Sequence, residues 1–227
     1  MKKDEFGLKI AEYWDLLNIV VVESNEKMVN ISKMLKNCIC IYIQNDMIPY
    51  LGKDIWVRES IALKLQIISD KLNIIYPAYI LKIVYGYRHP NVQEFYFSRR
   101  KKQVLLENSH LDEDCINEMV NTMTAYPETA GHPTGGAVDI TLCLKDGREI
   151  DMGTKISDFS NKEKVYTHYP DLTNLQKFNR SILHDFMVKE DFAPYYGEWW
   201  HFSYGDKEWA FFYDKPNAIY NKIDFHI

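Results

Sequence analysis

The chain has 227 residues, of which 46% are hydrophobic and 26% are charged. This length fits one globular domain with a core, because ~150 residues already bury roughly two-thirds of the surface of the unfolded chain. The net charge of −5 arises from intermixed acidic and basic residues, which argues against the continuous basic field of a nucleic-acid-binding protein.

The sequence predicts four helices. The 3.6-residue repeat is clearest in two of these segments, whereas the others rest on composition and on a proline near the start of one of them. The predicted helices cover residues 57–72, 91–106, 111–123 and 172–187.

Strands are predicted between these helices. Residues 78–85 are β-branched and aromatic and end at a turn that contains Arg88. Residues 137–144 alternate, so that Asp139 lies on a small, polar face opposite the apolar one. A turn then predicts a return strand at 149–152, and the aromatic segment 195–213 favours further strands. Helices and strands in unequal runs predict an α+β fold with an antiparallel sheet and flanking helices.

The N-terminal segment predicts a cytoplasmic protein. Its first five residues are charged, and the next apolar stretch, residues 19–22, is too short for a signal peptide or a membrane span. The chain is therefore expected to act without a membrane. The four cysteines form no CxxC pair and are interpreted as buried free thiols instead of disulfides or metal ligands: Cys38, Cys40, Cys115 and Cys143.

One cationic run, Arg99-Arg100-Lys101-Lys102, interrupts the mixed charge pattern. It follows an aromatic stretch within a predicted helix, and charge runs of this kind usually form a solvated helix face. This interpretation is preferred to a nucleic-acid contact.

Two segments carry the residue types of a zinc site. His132 and Asp139 are separated by a Pro-Thr-Gly-Gly turn that can fold the histidine back over the strand, and His201 lies in an aromatic segment. Catalytic zinc takes three protein ligands of this kind and leaves one position open. The alternative is a hydrogen-bonded core histidine and an aspartate that forms a turn, and spacing alone leaves both interpretations open.

A zinc hydrolase also needs a carboxylate that is not a ligand, to take a proton from water and pass it to the leaving amine. Glu198 is the candidate, three residues before His201. In a regular strand the two side chains would point to opposite faces, so this assignment requires a bend or bulge. Arg88, at the end of its strand, is the candidate to stabilise the negative charge of the tetrahedral intermediate.

Four blocks of sequence together resemble peptidase family M15, and within it the zinc D-alanyl-D-alanine dipeptidases of the vancomycin-resistance type. The blocks are Tyr85-Gly86-Tyr87-Arg88, the segment from His132 to Asp139 with Ile140-Thr141-Leu142, Asp151-Met152-Gly153-Thr154, and Glu198-Trp199-Trp200-His201-Phe202. The two adjacent tryptophans favour the dipeptidase branch over the carboxypeptidases.

This resemblance implies a single domain of residues 1–227, with a divergent N-terminal region (1–54) and a catalytic core (55–204). It implies the compact α+β fold shared by these enzymes and the hedgehog signalling domain. It also implies one Zn²⁺, held by His132, Asp139 and His201, with Glu198 as acid/base and Arg88 polarising the scissile carbonyl. The expected substrate is D-alanyl-D-alanine or a similar short D-amino-acid dipeptide, and the oligomeric state is left open.

Three positions depart from the family pattern. Ala130 replaces a serine two residues before the first histidine ligand, and Ser157, followed by Asp158, stands where the dipeptidases hold the substrate ammonium with an acid. His89 separates Arg88 from the proline and is interpreted as a turn or surface residue. Two alternatives therefore stay open: a carboxypeptidase acting on peptidoglycan stem peptides, and a zinc-stabilised binding module without catalysis.

Overall fold

A five-stranded sheet forms the centre of the computed structural model, which describes residues 2–3, 8–121, 123–161 and 163–227. The strands of the chain are β1 (Lys2–Lys3), β2 (Lys9–Ile10), β3 (Met28–Asn30), β4 (Cys38–Cys40), β5 (Trp56–Arg58), β6 (Tyr79–Tyr85), β7 (Ala137–Leu144), β8 (Ala193–Pro194) and β9 (His201–Ser203). The central sheet has the order β4-β6-β7-β9-β8, and two separate pairs, β1-β2 and β3-β5, lie outside it.

Eight helices accompany the sheet in the described residues. They are α1 (Tyr13–Leu17), α2 (Ile31–Met34), α3 (Ile48–Leu51), α4 (Glu59–Ile75), α5 (Pro90–Glu107), α6 (Glu113–Asn121), α7 (Asn174–Lys189) and α8 (Lys207–Phe212). A short 3-10 helix, His132–Thr134, precedes β7. Among these, α4, α5, α6 and α7 lie where the sequence predicts helices, with ends displaced by a few residues.

The main core lies between the central sheet and the helices α4 and α7. Leu65 and Ile68 of α4 pack in one buried cluster with Val138 and Ile140 of β7 and Leu183 of α7. Burial of a Leu, Ile or Val side chain stabilises the fold by roughly 1.5–3 kcal/mol each. The apolar face of β7 thus packs in this core. Asp139 lies on the opposite face of the strand, outside this cluster.

The observed fold is of the α+β class, as the sequence predicts. Antiparallel pairing holds for β6-β7, β7-β9 and β8-β9, but β4 joins β6 in parallel. The expected return strand at 149–152 is reduced to a single bridge between Cys143 and Glu149. Residues 207–212 form a helix where strands were expected, because Asp206 caps the chain there: its Oδ1 accepts a hydrogen bond of 2.9 Å from the backbone N–H of Trp209.

The cysteines are free thiols, as expected, but their burial differs from the expectation. Cys143 is buried in β7, Cys38 and Cys40 are half-buried in the edge strand β4, and Cys115 is exposed on α6. Burial raises the pKa of Cys38 to about 11 and that of Cys40 to about 12. Neither thiol is therefore primed to react as a thiolate.

None of the helices in the described part of the chain is long and apolar enough to cross a membrane.

Candidate metal and active site

Asp139 lies at the middle of the sheet, flanked by two aligned partners. It pairs with Tyr85 of β6 on one side and with His201 of β9 on the other. Side chains of directly opposed residues lie on the same face of a sheet and approach each other closely. The register itself therefore brings the carboxylate and the His201 imidazole together, and Asp139 Oδ1 lies 3.2 Å from His201 Nδ1.

His132 reaches the same carboxylate from the 3-10 helix. Gly135, with a φ of +76°, ends that helix in the left-handed region that favours glycine, and the chain then enters β7. The Nδ1–H of His132 donates a hydrogen bond of 2.8 Å to the carbonyl of Gly86. The opposite nitrogen, Nε2, therefore carries the free lone pair, and it lies 3.4 Å from Asp139 Oδ1.

The arrangement of these three residues fits a metal ion. All three are buried, and their ligand atoms lie within 4.8 Å of one another. Zinc bonds of ~2.0–2.1 Å in tetrahedral geometry separate two ligand atoms by roughly 3.3 Å, close to the separations found here. Burial by itself would raise the pKa of Asp139, but His132 and His201 hold it well below its usual value. The carboxylate is thus ionised, as a ligand must be.

Glu208 of α8 contacts the outer nitrogen of His201. Its Oε2 lies 3.2 Å from His201 Nε2, and both side chains are largely buried. Burial disfavours the charged imidazole, but Glu208 and Asp139 together raise the pKa of His201 well above its usual value. A carboxylate behind a histidine ligand fixes its tautomer and ring orientation and makes it a stronger base.

Glu198 reaches the site because the chain bends before β9. The backbone N–H of His201 donates a hydrogen bond of 3.1 Å to the carbonyl of Glu198, which closes a turn across the three-residue interval. A Cβ at Gly197 would lie 2.6 Å from the Tyr195 ring, so a larger residue in this turn would displace that ring. Burial raises the pKa of Glu198 to about 7. A carboxyl group with this pKa can both accept and donate a proton near neutral pH.

Arg88 follows β6 and is held by aromatic rings. Its guanidinium carbon lies 4.5 Å from the centroid of the Tyr85 ring and 5.6 Å from that of Tyr96, and Nη1 donates a hydrogen bond of 2.8 Å to Gln93. Its buried Nε has no hydrogen-bond acceptor within the described part of the chain. Asp46, from the N-terminal region, braces this arrangement through the hydroxyl of Tyr85, which donates to it at 2.6 Å.

A single cavity of about 370 Å³ connects all five residues that the sequence analysis selects. Other parts of its wall come from the N-terminal region, from α5 and from the segment around Ser157. Its lining includes Gln44, Arg88, Tyr96, Arg99, Arg100, Gln103, Thr129, His132, Asp139, Ser157, Glu198, His201 and Glu208. The structure thus brings the predicted metal, base and arginine residues to one place.

The residues that depart from the family pattern lie at different places relative to the cavity. Ser157 lines the cavity, whereas Asp158 is exposed and accepts a hydrogen bond of 3.1 Å from the backbone N–H of Ser160. Among the described residues, the carboxylates that line the cavity are Asp139, Glu198 and Glu208. Asp158 is not among them. Ala130 is buried beside Thr129, whose side chain lines the cavity.

His89 was interpreted as a turn or surface residue; it lies in the connection between β6 and α5, but it is not at the surface. The side chain is 3% exposed, and it caps α5 by accepting a hydrogen bond of 3.1 Å from the backbone N–H of Asn91. Its ring stacks on Tyr50 at a centroid distance of 4.1 Å. It contributes no atom to the cavity wall around Arg88.

Sequence reasoning missed three charged residues that line the cavity, Glu208, Arg99 and Arg100. Glu208 was missed because aromatic content favoured a strand at 195–213. In the observed helix it occupies the first turn, and Asp206, the helix cap, was the available signal for that helix. The two arginines were interpreted as part of a solvated helix face; Arg99 is exposed and Arg100 half-buried, and both also line the cavity.

Comparison with known proteins identifies a family model and two curated relatives that match this chain. The family model Peptidase M15, described as D-ala-D-ala dipeptidase, matches residues 60–223. A D-alanyl-D-alanine dipeptidase of Synechocystis sp. (strain PCC 6803) is 33% identical over 115 residues, which cover 47% of this chain and 45% of the relative. One of Escherichia coli (strain K12) is 30% identical over 73 residues, covering 32% and 37%. The matched segments span less than half of either relative.

Among solved structures, the chain is similar to the LD-carboxypeptidase LdcB, with 18% identity and a TM-score of 0.48, over 96% of this chain and 89% of that one. The family model covers well over half of the sequence and includes both histidines, the aspartate, Glu198 and Arg88. The chain therefore belongs to the D-Ala-D-Ala dipeptidase family of metallopeptidases, peptidase family M15.

Proposed function

We propose that this protein hydrolyses D-alanyl-D-alanine, or a similar short D-amino-acid dipeptide, with the help of one zinc ion. The observation that carries the proposal is the convergence of His132, Asp139 and His201 in one cavity with a half-buried carboxyl group, Glu198, and a half-buried arginine, Arg88. The membership in the family and the names of the two curated relatives support this choice of substrate.

In this proposal the zinc ligands are His132 Nε2, Asp139 Oδ1 and His201 Nδ1. Zinc at such a site lowers the pKa of water and polarises a carbonyl group. The hydrogen bond to Gly86 directs the Nε2 lone pair of His132 inward, and Glu208, 3.2 Å from Nε2 of His201, favours a proton on that outer nitrogen. The burial of the three ligands keeps bulk water away from the charges that develop in the reaction.

Glu198 is the proposed general base and acid. With a pKa raised to about 7 by burial, it accepts a proton from the attacking water and later donates it to the nitrogen of the leaving amino acid. Arg88 is the proposed electrophile. Its guanidinium, fixed by Tyr85, Tyr96 and Gln93, donates to the carbonyl oxygen as negative charge accumulates there.

The test combines metal analysis with measurement of free D-alanine. We expect one zinc ion per chain, release of D-alanine from the dipeptide, and loss of both after removal of the metal by a chelator. The variant Glu198→Ala is expected to retain zinc and to lose turnover by about 10²–10⁴-fold. A chain that neither binds zinc nor releases D-alanine after zinc addition would refute the proposal.

A second candidate is a D,D- or L,D-carboxypeptidase that acts on peptidoglycan stem peptides. It is favoured by Ser157, which lines the cavity where the dipeptidases hold the free ammonium with an acid. Hydrolysis of the free dipeptide is compared with hydrolysis of an N-acetylated tripeptide. Activity on the blocked peptide alone would replace the first proposal by this one.

The third alternative is a zinc-stabilised binding module. The retention of Glu198 and Arg88 at the cavity argues against it, because a module that only binds zinc needs neither a base nor an electrophile. A zinc-loaded protein without turnover on any free or blocked peptide would favour this alternative.

The leading proposal also includes the location of the activity. We propose that the protein acts in the cytoplasm, where free dipeptides are accessible as substrates.

A further inference from the structure

We propose that Asp46 is a positioning residue for Arg88 and acts on it through the rings of Tyr85 and Tyr96. Because Arg88 is the electrophile of the proposed function, this role rests on that function. Asp46 lies in the N-terminal region, outside the residues 60–223 that the family model matches. With this role, a part of the chain that carries no sequence motif contributes to catalysis.

The two rings beside Arg88 both bond to one oxygen atom of Asp46. The Tyr85 hydroxyl donates to Asp46 Oδ2 at 2.6 Å. The Tyr96 hydroxyl lies 2.8 Å from the same oxygen and also 2.8 Å from Gln44 Oε1, so these two acceptors compete for its single proton. The Arg88 guanidinium carbon lies 4.5 Å from the centroid of the Tyr85 ring and 5.6 Å from that of Tyr96. One carboxylate therefore fixes both rings that contact the guanidinium.

Asp46 is itself held in place by the residue that follows it. Met47 is fully buried and packs in one cluster with Tyr85 and Tyr87. Its sulfur accepts a hydrogen bond of 3.4 Å from the backbone N–H of His89. The chain at this point is thus attached to the end of β6 and to the start of α5, the two elements that flank Arg88. The carboxylate of Asp46 is therefore held beside Tyr85.

This arrangement leaves donors of Arg88 free for the substrate. Nη1 donates to Gln93, and among the described residues the buried Nε has no acceptor. A carboxylate bonded directly to the guanidinium would occupy the donors that the scissile carbonyl needs. Asp46 instead contacts the ring hydroxyls and is not among the described residues that line the cavity. It can hold Arg88 without competing with the carbonyl oxygen.

The charge of Asp46 also reaches Arg88 through the Tyr85 ring. A hydroxyl that donates a short bond to a carboxylate makes its ring more electron-rich, and the face of such a ring attracts a cation more strongly. Burial disfavours the charged guanidinium, but Tyr85, Asp139 and Asp46 together raise the pKa of Arg88 above its usual value. Asp46 thus provides a counter-charge at a distance.

The mobility of the Arg88 side chain tests this role without depending on turnover. In zinc-loaded protein with nitrogen-15-labelled arginine, the Nε–H signal of Arg88 is assigned by its loss in Arg88→Lys, and the rotation rate of the guanidinium is measured. Asp46→Asn removes the charge at nearly constant shape, and Tyr85→Phe removes the hydroxyl that joins the two residues. The matched control is Asp54→Asn, a half-buried carboxylate of the same region that accepts a hydrogen bond of 2.7 Å from Asn30.

A double-mutant cycle in kcat separates positioning from a general structural role. The substrate is whichever of the free dipeptide and the N-acetylated tripeptide the wild-type chain hydrolyses. We expect Asp46→Asn and Tyr85→Phe each to lower kcat about 10-fold and to change KM by less than about twofold, within the roughly 100-fold that a misplacement of about 1 Å can cost. In the Arg88→Ala background, the same substitutions should change kcat by less than about twofold.

The guanidinium should rotate about two- to fivefold faster in Asp46→Asn and in Tyr85→Phe, because the cation–π contact is weakened. The Asp54→Asn control should leave both the rotation rate and kcat unchanged. An unchanged rotation rate in both test variants, or an equal fall in kcat with and without Arg88, would overturn the positioning role. Faster rotation in a chain whose wild type hydrolyses neither peptide would instead contradict the proposed function and leave the positioning of Arg88 by Asp46 standing.

Discussion

Two clusters of two histidines and one aspartate occur in the described part of this protein, and we propose a metal ion at only one of them. His132, Asp139 and His201 form the first, and His89, Asp224 and His226 form the second. In the second cluster both histidine Nε2 atoms lie 2.8 Å from Asp224 Oδ1. By ligand type and by the distances between ligand atoms, the two clusters resemble each other.

The difference lies in what the other ring nitrogens contact. His132 donates its Nδ1–H to a carbonyl, which leaves a lone pair on the inner nitrogen. His89 instead accepts a backbone N–H at Nδ1, so in its neutral form the proton is on Nε2 and is donated to Asp224. Asp224 is also exposed, with 73% of its side chain accessible. Converging side chains therefore indicate a metal site only when the outer hydrogen bonds direct lone pairs inward.

The largest expected effect separates the two clusters directly. Asp139→Ala should abolish stoichiometric zinc binding. Structural zinc sites with four protein ligands bind zinc with ~10–16 kcal/mol, or about 3 kcal/mol per ligand, so the loss of one ligand lowers zinc affinity by more than about a hundredfold. His226→Ala should retain one zinc ion per chain. Metal analysis after dialysis against a weak chelator compares the variants, and loss of zinc in His226→Ala would reverse the assignment.

Arg88→Ala tests the electrophile beside the first cluster. Loss of a donor to a developing oxyanion typically slows the reaction by about 10²–10³-fold. We expect that decrease in kcat with zinc content unchanged, since Arg88 contributes no metal ligand. Steady-state kinetics and metal analysis are made on the same preparation. A zinc-loaded variant with wild-type kcat would remove Arg88 from the mechanism.

Glu208→Gln tests the outer contact of His201. Substitutions at such positions typically lower metal affinity by about 10–100-fold, and we expect a loss in this range from competition with a chromogenic chelator. The spectrum of the cobalt-substituted enzyme should shift as well, which a purely structural role in α8 would not cause. Unchanged affinity and an unchanged spectrum would show that Glu208 does not position His201.

The smallest effect is expected for Asp224→Asn, the corresponding substitution in the second cluster. Neighbouring His89 and His226 lower the pKa of Asp224, but the carboxylate lies at the surface, where ion pairs contribute little. Zinc content, kcat and the cobalt spectrum should all stay at their wild-type values. A fall in zinc content would give the second cluster a role in metal binding.

The residues of the candidate site could be predicted from the sequence more completely than the backbone turns and neighbouring side chains that position them. Ligand chemistry and the family pattern select His132, Asp139 and His201, and the sheet register then explains why they meet. The bend that brings Glu198 to His201 could only be assumed, because it depends on a turn set by Gly197 and the Tyr195 ring. Likewise, Asp46 and Gln44 lie in a region without a motif, and only tertiary contacts place them beside Tyr85 and the cavity.

The most direct test is anomalous diffraction at the zinc absorption edge, from crystals grown with the metal that the purified protein retains. One peak is expected, within bonding distance of His132 Nε2, Asp139 Oδ1 and His201 Nδ1 and with none at His89, Asp224 and His226. A peak at the second cluster alone, or no peak in a chain that still releases D-alanine, would contradict the assignment of this metal centre.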